Sequence, residues 1–156
     1  NTKMGSIFTP YEYYYSWNKA NETDKVSNGI SSLFTMIAGA FSRERVVAII
    51  RDFIFYPDDS KKSETIICRY PQFFAANKML ANIKVHMRPQ GDGKGGTYFG
   101  ATGCGKTYTM LFLARLIALR DSNAFQNPTI IIIEDREDLD TQTSKLFVTA
   151  KKYSQY

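Results

Sequence analysis

The sequence predicts an α/β fold in which a helical N-terminal segment precedes a partial parallel sheet with flanking helices. Three observations lead to this prediction. Apolar residues recur at helical spacing within the first 59 residues. Residues 97–99 form a short strand-like run that ends at a glycine-rich loop, and a helical pattern follows the loop. Residues 129–133 are a threonine and four isoleucines, which is typical of a parallel strand buried on both faces.

The N-terminal segment, residues 1–59, is predicted to contain two packed helices. The first carries its apolar residues on one face, at Ile30, Leu33, Phe34, Ile37 and Phe41. Ser42 is suited to cap the second helix, whose apolar positions recur between residues 46 and 53. We expect both apolar faces, and the aromatic residues between positions 11 and 17, to pack rather than to bind a ligand.

The middle of the chain contains a connection, a strand, a helix and a loop in that order. Residues 56–63 are turn-rich and charged, so they are predicted to end the first segment. Residues 65–68 predict a short strand, and residues 73–83 a helix for which Pro71 suits the first turn. Residues 88–96 contain one proline and four glycines, which disfavour any regular element.

Residues 100–107 read Gly-Ala-Thr-Gly-Cys-Gly-Lys-Thr and fit the phosphate-binding pattern Gly-x-x-x-x-Gly-Lys-Ser/Thr. Gly103 and Gly105 lack the Cβ atoms that would keep a phosphate away from backbone N–H groups. Lys106 supplies a positive charge to the terminal phosphates, and Thr107 offers a hydroxyl to Mg²⁺. The alternative is a plain glycine-rich turn, but the lysine and threonine favour a nucleotide-binding loop. The predicted α/β fold therefore contains a partial P-loop parallel sheet.

Bulk composition excludes several classes of protein. The chain has 156 residues, of which 44% are hydrophobic, so it can form a packed core. Its net charge of +5 is compatible with a polyanionic partner without identifying one. Two cysteines, Cys68 and Cys104, and the absence of a signal sequence or long apolar run predict a cytoplasmic protein without membrane contact. His86 is the single histidine and is assigned no role.

Two acidic residues follow the isoleucine run, and their role has two interpretations. Glu134 and Asp135 would lie at the same sheet edge as the phosphate loop, where a carboxylate can coordinate Mg²⁺. Equally, acidic residues at this point suit the first turn of a following helix, predicted from about residue 139 to residue 153. The residues alone do not decide between these interpretations.

Four ordered stretches together resemble the motor subunit of type I restriction enzymes. Residues 127–142, with the run Ile-Ile-Ile-Ile-Glu-Asp-Arg, are similar to the motif Ia region of that family. Residues 69–78, Arg-Tyr-Pro-Gln-Phe-Phe-Ala-Ala-Asn-Lys, resemble its adenine-reading Q motif, and residues 95–107 resemble its Walker A region. Residues 42–54 resemble the helical stretch that precedes the motor.

This resemblance implies a superfamily 2 helicase-type motor that hydrolyses ATP to pull double-stranded DNA and cleaves it with a separate nuclease domain. Residues 1–59 would be a helical connecting segment, and residues 60–156 the N-terminal part of the first RecA-like lobe. The implied partners are DNA and the modification and specificity subunits of the restriction complex.

The resemblance also assigns roles to individual residues. Gln72 would contact the adenine edge, and the phosphate-binding backbone would run from Gly103 through Cys104 to Gly105. Lys106 and Thr107 would hold the terminal phosphates of ATP and Mg²⁺. The residues implied near the DNA path are Asp135, Arg136 and Gln142.

Some features depart from the family pattern. Cys104 stands where the family usually has serine, and its thiol can make the loop sensitive to oxidation or alkylation. The Walker B carboxylates and later helicase motifs are expected C-terminal to Tyr156, so no catalytic residue is assigned and the isolated chain is expected to be inactive. Two alternatives stay open. One is a small self-contained P-loop ATPase or kinase using Asp135 for Mg²⁺, and the other is a helical interaction module with an idle phosphate loop.

Overall fold

A computed structural model describes residues 2–6, 9–55, 65–135 and 137–152. The chain divides into two compact units, Asn1–Pro71 and Gln72–Tyr156. Residues 56–63, where the sequence predicts a turn-rich connection and the boundary between segments, lie outside the described residues.

The first unit contains two helices and a small antiparallel sheet. Its elements are a 3₁₀ turn at Tyr11–Tyr13, α1 at Ser31–Ala40, α2 at Arg43–Asp52, β1 at Ile54–Phe55 and β2 at Ile66–Ile67. The two strands pair with Ile54 opposite Ile67. The two predicted helices and the predicted strand at residues 65–68 are therefore confirmed. Strand β1 was not predicted, because two residues are too few to show a strand pattern in the sequence.

The predicted packing of the apolar face of α1 is wrong for the part of the chain that the structure describes. Helix α1 buries small residues, including Gly39, whereas Phe34 on the predicted face is 66% exposed. A Cβ on Gly39 would lie only 2.5 Å from Nε1 of Trp17, which is buried. The helix thus approaches the tryptophan through its small residues because only these allow close contact, and the larger apolar side chains face outward.

The second unit is mainly helical. Helix α3 spans Tyr70–His86 and enters this unit at Gln72, and it is followed by α4 at Lys106–Arg115, a π-helical turn at Leu116–Arg120, α5 at Ser122–Phe125 and α6 at Glu137–Lys152. Pro71 lies in the first turn of α3, as predicted. The predicted positions of the three long helices are confirmed. Tyr153, the predicted end of the last helix, lies outside the described residues. Among the residues searched, no helix is long and apolar enough to cross a membrane.

The carboxylate of Asp92 makes hydrogen bonds that help to hold the loop after α3. Asp92 accepts a hydrogen bond from the backbone N–H of Lys94 at 3.0 Å and pairs with Nδ1 of His86 at 2.7 Å. These two interactions, the backbone one first, lower the pKa of Asp92 from its ordinary value. His86 therefore has a structural partner six residues along the chain.

The predicted partial parallel sheet is not confirmed. Residues 97–99 and 129–133 belong to no strand, and β1–β2 is the one sheet formed by the described residues. Phe99 is 92% exposed, Ile131 78% and Ile133 90%, so the expected burial of these runs is also absent. A parallel strand has no hairpin partner and takes its hydrogen bonds from strands distant in sequence. A β-favouring run therefore stays unpaired when such strands are not beside it.

Candidate functional site

The glycine-rich loop has the backbone conformation that a phosphate-binding loop requires. Gly103 and Gly105 have φ angles of +78° and +81°, which lie in the left-handed region where a side chain is strained. Helix α4 begins immediately afterwards at Lys106, and its N-cap residue, Gly105, has no side chain that could cap it. The positive end of the helix dipole therefore lies beside these two glycines, where it would favour an anion.

Lys106 closes the loop on itself. Its ammonium group donates hydrogen bonds to the carbonyl oxygens of Gly100 at 2.9 Å and Ala101 at 3.2 Å, while the N–H of Cys104 also donates to the Ala101 carbonyl. The lysine side chain is exposed. A phosphate oxygen would be a stronger acceptor than either carbonyl because the hydrogen bond would join opposite charges. The lysine is therefore positioned to exchange loop carbonyls for a phosphate.

Gln72 lies against the loop backbone. Its side chain is 4% exposed, and its amide nitrogen Nε2 donates to the carbonyl oxygen of Gly105 at 3.2 Å and, with longer geometry, to that of Cys104 at 3.5 Å. The structure therefore brings together the predicted adenine-reading residue and the predicted phosphate loop, which are 33 residues apart in sequence. The sequence predicted that both belong to one site, but it did not predict this direct contact.

Thr109 is a second residue that ties the loop down, and sequence reasoning missed it. It is fully buried in α4, where its N–H and its Oγ1 both reach the carbonyl oxygen of Gly105, at 3.1 Å and 3.3 Å. A polar residue on the buried face of an otherwise apolar helix was the available signal. Thr107, the predicted Mg²⁺ ligand, lies half-buried in the first turn of the same helix.

Cys104 and Tyr98 are neighbours at the edge of the loop. A Cβ on Gly100 would lie 2.8 Å from Sγ of Cys104 and 3.2 Å from the hydroxyl oxygen of Tyr98, which places the thiol and the phenol around this glycine. Burial is the main cause that raises the pKa of Tyr98, followed by the charge of the Cys104 thiolate. Cys104 is half-buried, so its thiol is partly accessible to solvent.

The acidic residues after the isoleucine run take different positions. The Oε1 atom of Glu134 accepts a hydrogen bond from Oγ1 of Thr143 at 2.8 Å, and the other carboxylate oxygen is buried with no hydrogen-bond partner among the described residues. Glu134 thus binds the flank of α6 nearly two turns beyond its start. Asp135 is exposed, Arg136 lies outside the described residues, and Gln142 is part of α6.

The residues present fit a nucleoside triphosphate with one magnesium ion. The left-handed glycines, the start of α4 and the exposed Lys106 ammonium are groups that would suit a phosphate. For the metal, Thr107 supplies a hydroxyl oxygen, a ligand type that suits Mg²⁺. No group of three or more His, Cys, Asp or Glu residues that could hold a metal ion exists among the residues searched, so the phosphates would have to supply much of the coordination.

The chain is similar to proteins of two described kinds. The family model of the SWI2/SNF2 ATPase matches residues 71–156. The HindI type I restriction enzyme endonuclease subunit of Haemophilus influenzae is 28% identical over 153 residues, covering 96% of this chain. A putative type I restriction enzyme endonuclease subunit of Methanocaldococcus jannaschii, MjaVIIP, is 37% identical over 115 residues, covering 69% of this chain. No solved structure matches the chain significantly.

The matched region is a small part of these relatives. The chain spans 14% of the length of the HindI subunit and 10% of the length of MjaVIIP. The SWI2/SNF2 match begins one residue before Gln72 and includes the whole phosphate loop. The resemblance to type I restriction enzyme endonuclease subunits is thus confirmed, and the chain belongs to the SWI2/SNF2 ATPase family.

Proposed function

We propose that this chain is a segment of the ATP-dependent, DNA-translocating and DNA-cleaving subunit of a type I restriction enzyme. Residues 1–59 would form the helical connecting segment, and residues 60–156 the N-terminal part of the first RecA-like lobe. The parent protein would act in the cytoplasm on double-stranded DNA, together with modification and specificity subunits. The endonuclease-subunit relatives and the ATPase family match support this proposal.

One observation supports the nucleotide-binding role above the others. Two left-handed glycines precede a helix whose N-cap residue is one of them, and the exposed lysine at the first helical position folds back over the loop. A plain turn between helices requires neither the lysine nor consecutive inward N–H groups. In the proposed site the loop backbone from Gly103 through Cys104 to Gly105 holds the phosphates of ATP, while Lys106 neutralises their charge.

The remaining roles follow the order of the motifs. Thr107 would coordinate Mg²⁺, and Gln72 would contact the adenine edge. The residues of the motif Ia region, Asp135, Arg136 and Gln142, would lie near the DNA path. Residues 97–99 and 129–133 would become parallel strands when further strands of the parent subunit pair with them, which would also cover their exposed apolar side chains.

We expect this chain alone to bind ATP without appreciable turnover. Phosphoryl transfer requires groups that stabilise the charge developing on the transferred phosphate, and the P-loop supplies only part of them. Walker B carboxylates and an arginine finger are not among the motifs of this sequence. Binding and hydrolysis are therefore separable in this chain, and binding is the property to measure.

The test is titration with a fluorescent ATP analogue and Mg²⁺, comparing the wild-type chain with Lys106→Ala. Loss of the charged hydrogen bond to phosphate should weaken binding by about tenfold to a hundredfold. Lys19→Ala is the matched control, because it removes the same side chain from the other unit, where Lys19 donates to the Glu22 carbonyl. Equal affinity of the Lys106 and Lys19 variants would contradict the proposal.

A further inference from the structure

The peptide groups of the phosphate loop are held from outside the loop by one amide side chain. Gln72 Nε2 donates to two consecutive carbonyl oxygens, at 3.2 Å for Gly105 and at 3.5 Å for Cys104. An amide NH₂ group has two N–H donors, so one side chain can serve both carbonyls. The glutamine is buried, which shields these hydrogen bonds from competition with water.

This double contact sets the direction of the loop N–H groups. A peptide unit is planar and trans, so its C=O and N–H bonds point in opposite directions. Holding the carbonyl of Cys104 toward Gln72 turns the N–H of Gly105 away from it. Holding the carbonyl of Gly105 does the same for the N–H of Lys106. These N–H groups belong to the phosphate-binding part of the motif.

The loop is also shaped to admit the glutamine. A Cβ at position 105 would lie 2.4 Å from Gln72 Nε2, a distance that no stable structure tolerates without movement. From the other side, buried Thr109 binds the same Gly105 carbonyl through its N–H and its hydroxyl. The Gly105 carbonyl therefore links the start of α3 to the first turn of α4, with the phosphate loop between them.

We infer that Gln72 is a positioning residue for phosphate binding, which orients the loop N–H groups for any ligand with a polyphosphate, whatever its base. This inference rests on the proposed nucleotide-binding function and adds a role to the adenine contact. The two roles make different predictions. A contact with adenine affects only ligands that carry adenine, whereas orientation of the loop affects inorganic tripolyphosphate by the same factor as ATP.

The test compares tripolyphosphate, ATP and GTP, each with Mg²⁺, by isothermal titration calorimetry. Gln72→Met is the informative variant because methionine has nearly the same shape and stays compatible with burial but cannot donate a hydrogen bond. We expect affinity for tripolyphosphate and GTP to fall by a similar factor of about ten, because binding must then order a loop that one to two neutral hydrogen bonds ordered before, and affinity for ATP to fall by at least as much because it also loses the adenine contact. Gln90→Ala, on an exposed loop position of the same unit, should leave all three affinities unchanged.

A second measurement needs no ligand. Amide hydrogen exchange should accelerate several-fold at Cys104 and Thr109, whose N–H groups donate to the carbonyl oxygens of Ala101 and Gly105, in Gln72→Met while the middle of α6 exchanges as in the wild type. Loss of protection throughout the second unit would instead show that Gln72 only stabilises the fold, and it would overturn the inference.

The outcomes also separate this inference from the proposed function. If Lys106→Ala loses tripolyphosphate binding but Gln72→Met weakens ATP alone, the nucleotide site stands and the positioning role is refuted. If wild-type chain does not bind tripolyphosphate, or if Lys106→Ala binds it unchanged, both the site and the inference fail.

Discussion

Replacing Gly105 by alanine tests the loop geometry most directly, because the same substitution at Gly103 provides an internal control. Both glycines have left-handed φ angles, so alanine should cost roughly 1–2 kcal/mol at either position. The added Cβ at 103 meets no atom within 4 Å, whereas at 105 it would lie 2.4 Å from Gln72 Nε2. Displacing the glutamine leaves a buried donor without its acceptors, which costs about 1–3 kcal/mol more.

The expected free-energy loss is therefore about 1–2 kcal/mol for Gly103→Ala and about 2–5 kcal/mol for Gly105→Ala. Urea unfolding followed by far-UV circular dichroism measures both values, and peptide-resolved hydrogen exchange over α3 and α4 assigns them to the second unit. Tryptophan fluorescence is unsuitable because Trp17, the single tryptophan, belongs to the first unit. Equal losses for the two variants would refute the close approach of Gln72 to the loop.

Three further predictions concern other groups. A thiol reagent at pH 8 should modify one cysteine of the native chain, the half-buried Cys104. The buried Cys68 should react only after unfolding, because burial raises its pKa to about 12. Rapid labelling of both cysteines would contradict this expectation. Thr143→Val should lower the free energy of unfolding in urea by about 1–3 kcal/mol, because it removes the hydrogen bond to the partly buried Glu134 carboxylate. Recovery of this stability in a double variant with Glu134→Gln would identify the carboxylate as the cause. Asp92 has a lower pKa in the folded chain than its ordinary value of 3.8, so its stabilising contribution is complete above that pH and is lost as the pH falls through the folded-state pKa. Hydrogen exchange of the loop after α3 should therefore speed up, after correction for intrinsic rates, as the pH falls below about 4 in the wild type but not in Asp92→Asn.

The parts of the structure that were predictable from the sequence are those that depend on local rules. Left-handed glycines, a proline in the first turn of α3 and apolar spacing at intervals of three and four residues leave direct marks in the sequence. The left-handed glycines before α4 and the long helices are therefore where the sequence predicts them.

Other features depend on contacts between residues that are far apart in the sequence. The sequence does not show which of these contacts form. Nothing near Gln72 in sequence indicates that its amide would bind carbonyls 33 residues away. Helix α1 has a clear apolar face, yet Gly39 on the opposite face permits the closer approach to Trp17. The spacing of apolar residues shows that a helix has an apolar face and a polar face, but close packing against neighbouring residues decides which face is buried.

The four exposed isoleucines after Pro128 have a consequence for the chain during and after synthesis. A run of β-branched residues without an internal charge is the composition that stacks into intermolecular β-structure, with identical copies pairing in register. Proline before the run and the carboxylates of Glu134 and Asp135 after it are the residue types that interrupt such stacking. These flanking residues limit the segment that could pair with other copies of the chain to a few residues. The same four exposed side chains therefore set an upper limit to the concentration at which this chain stays dispersed.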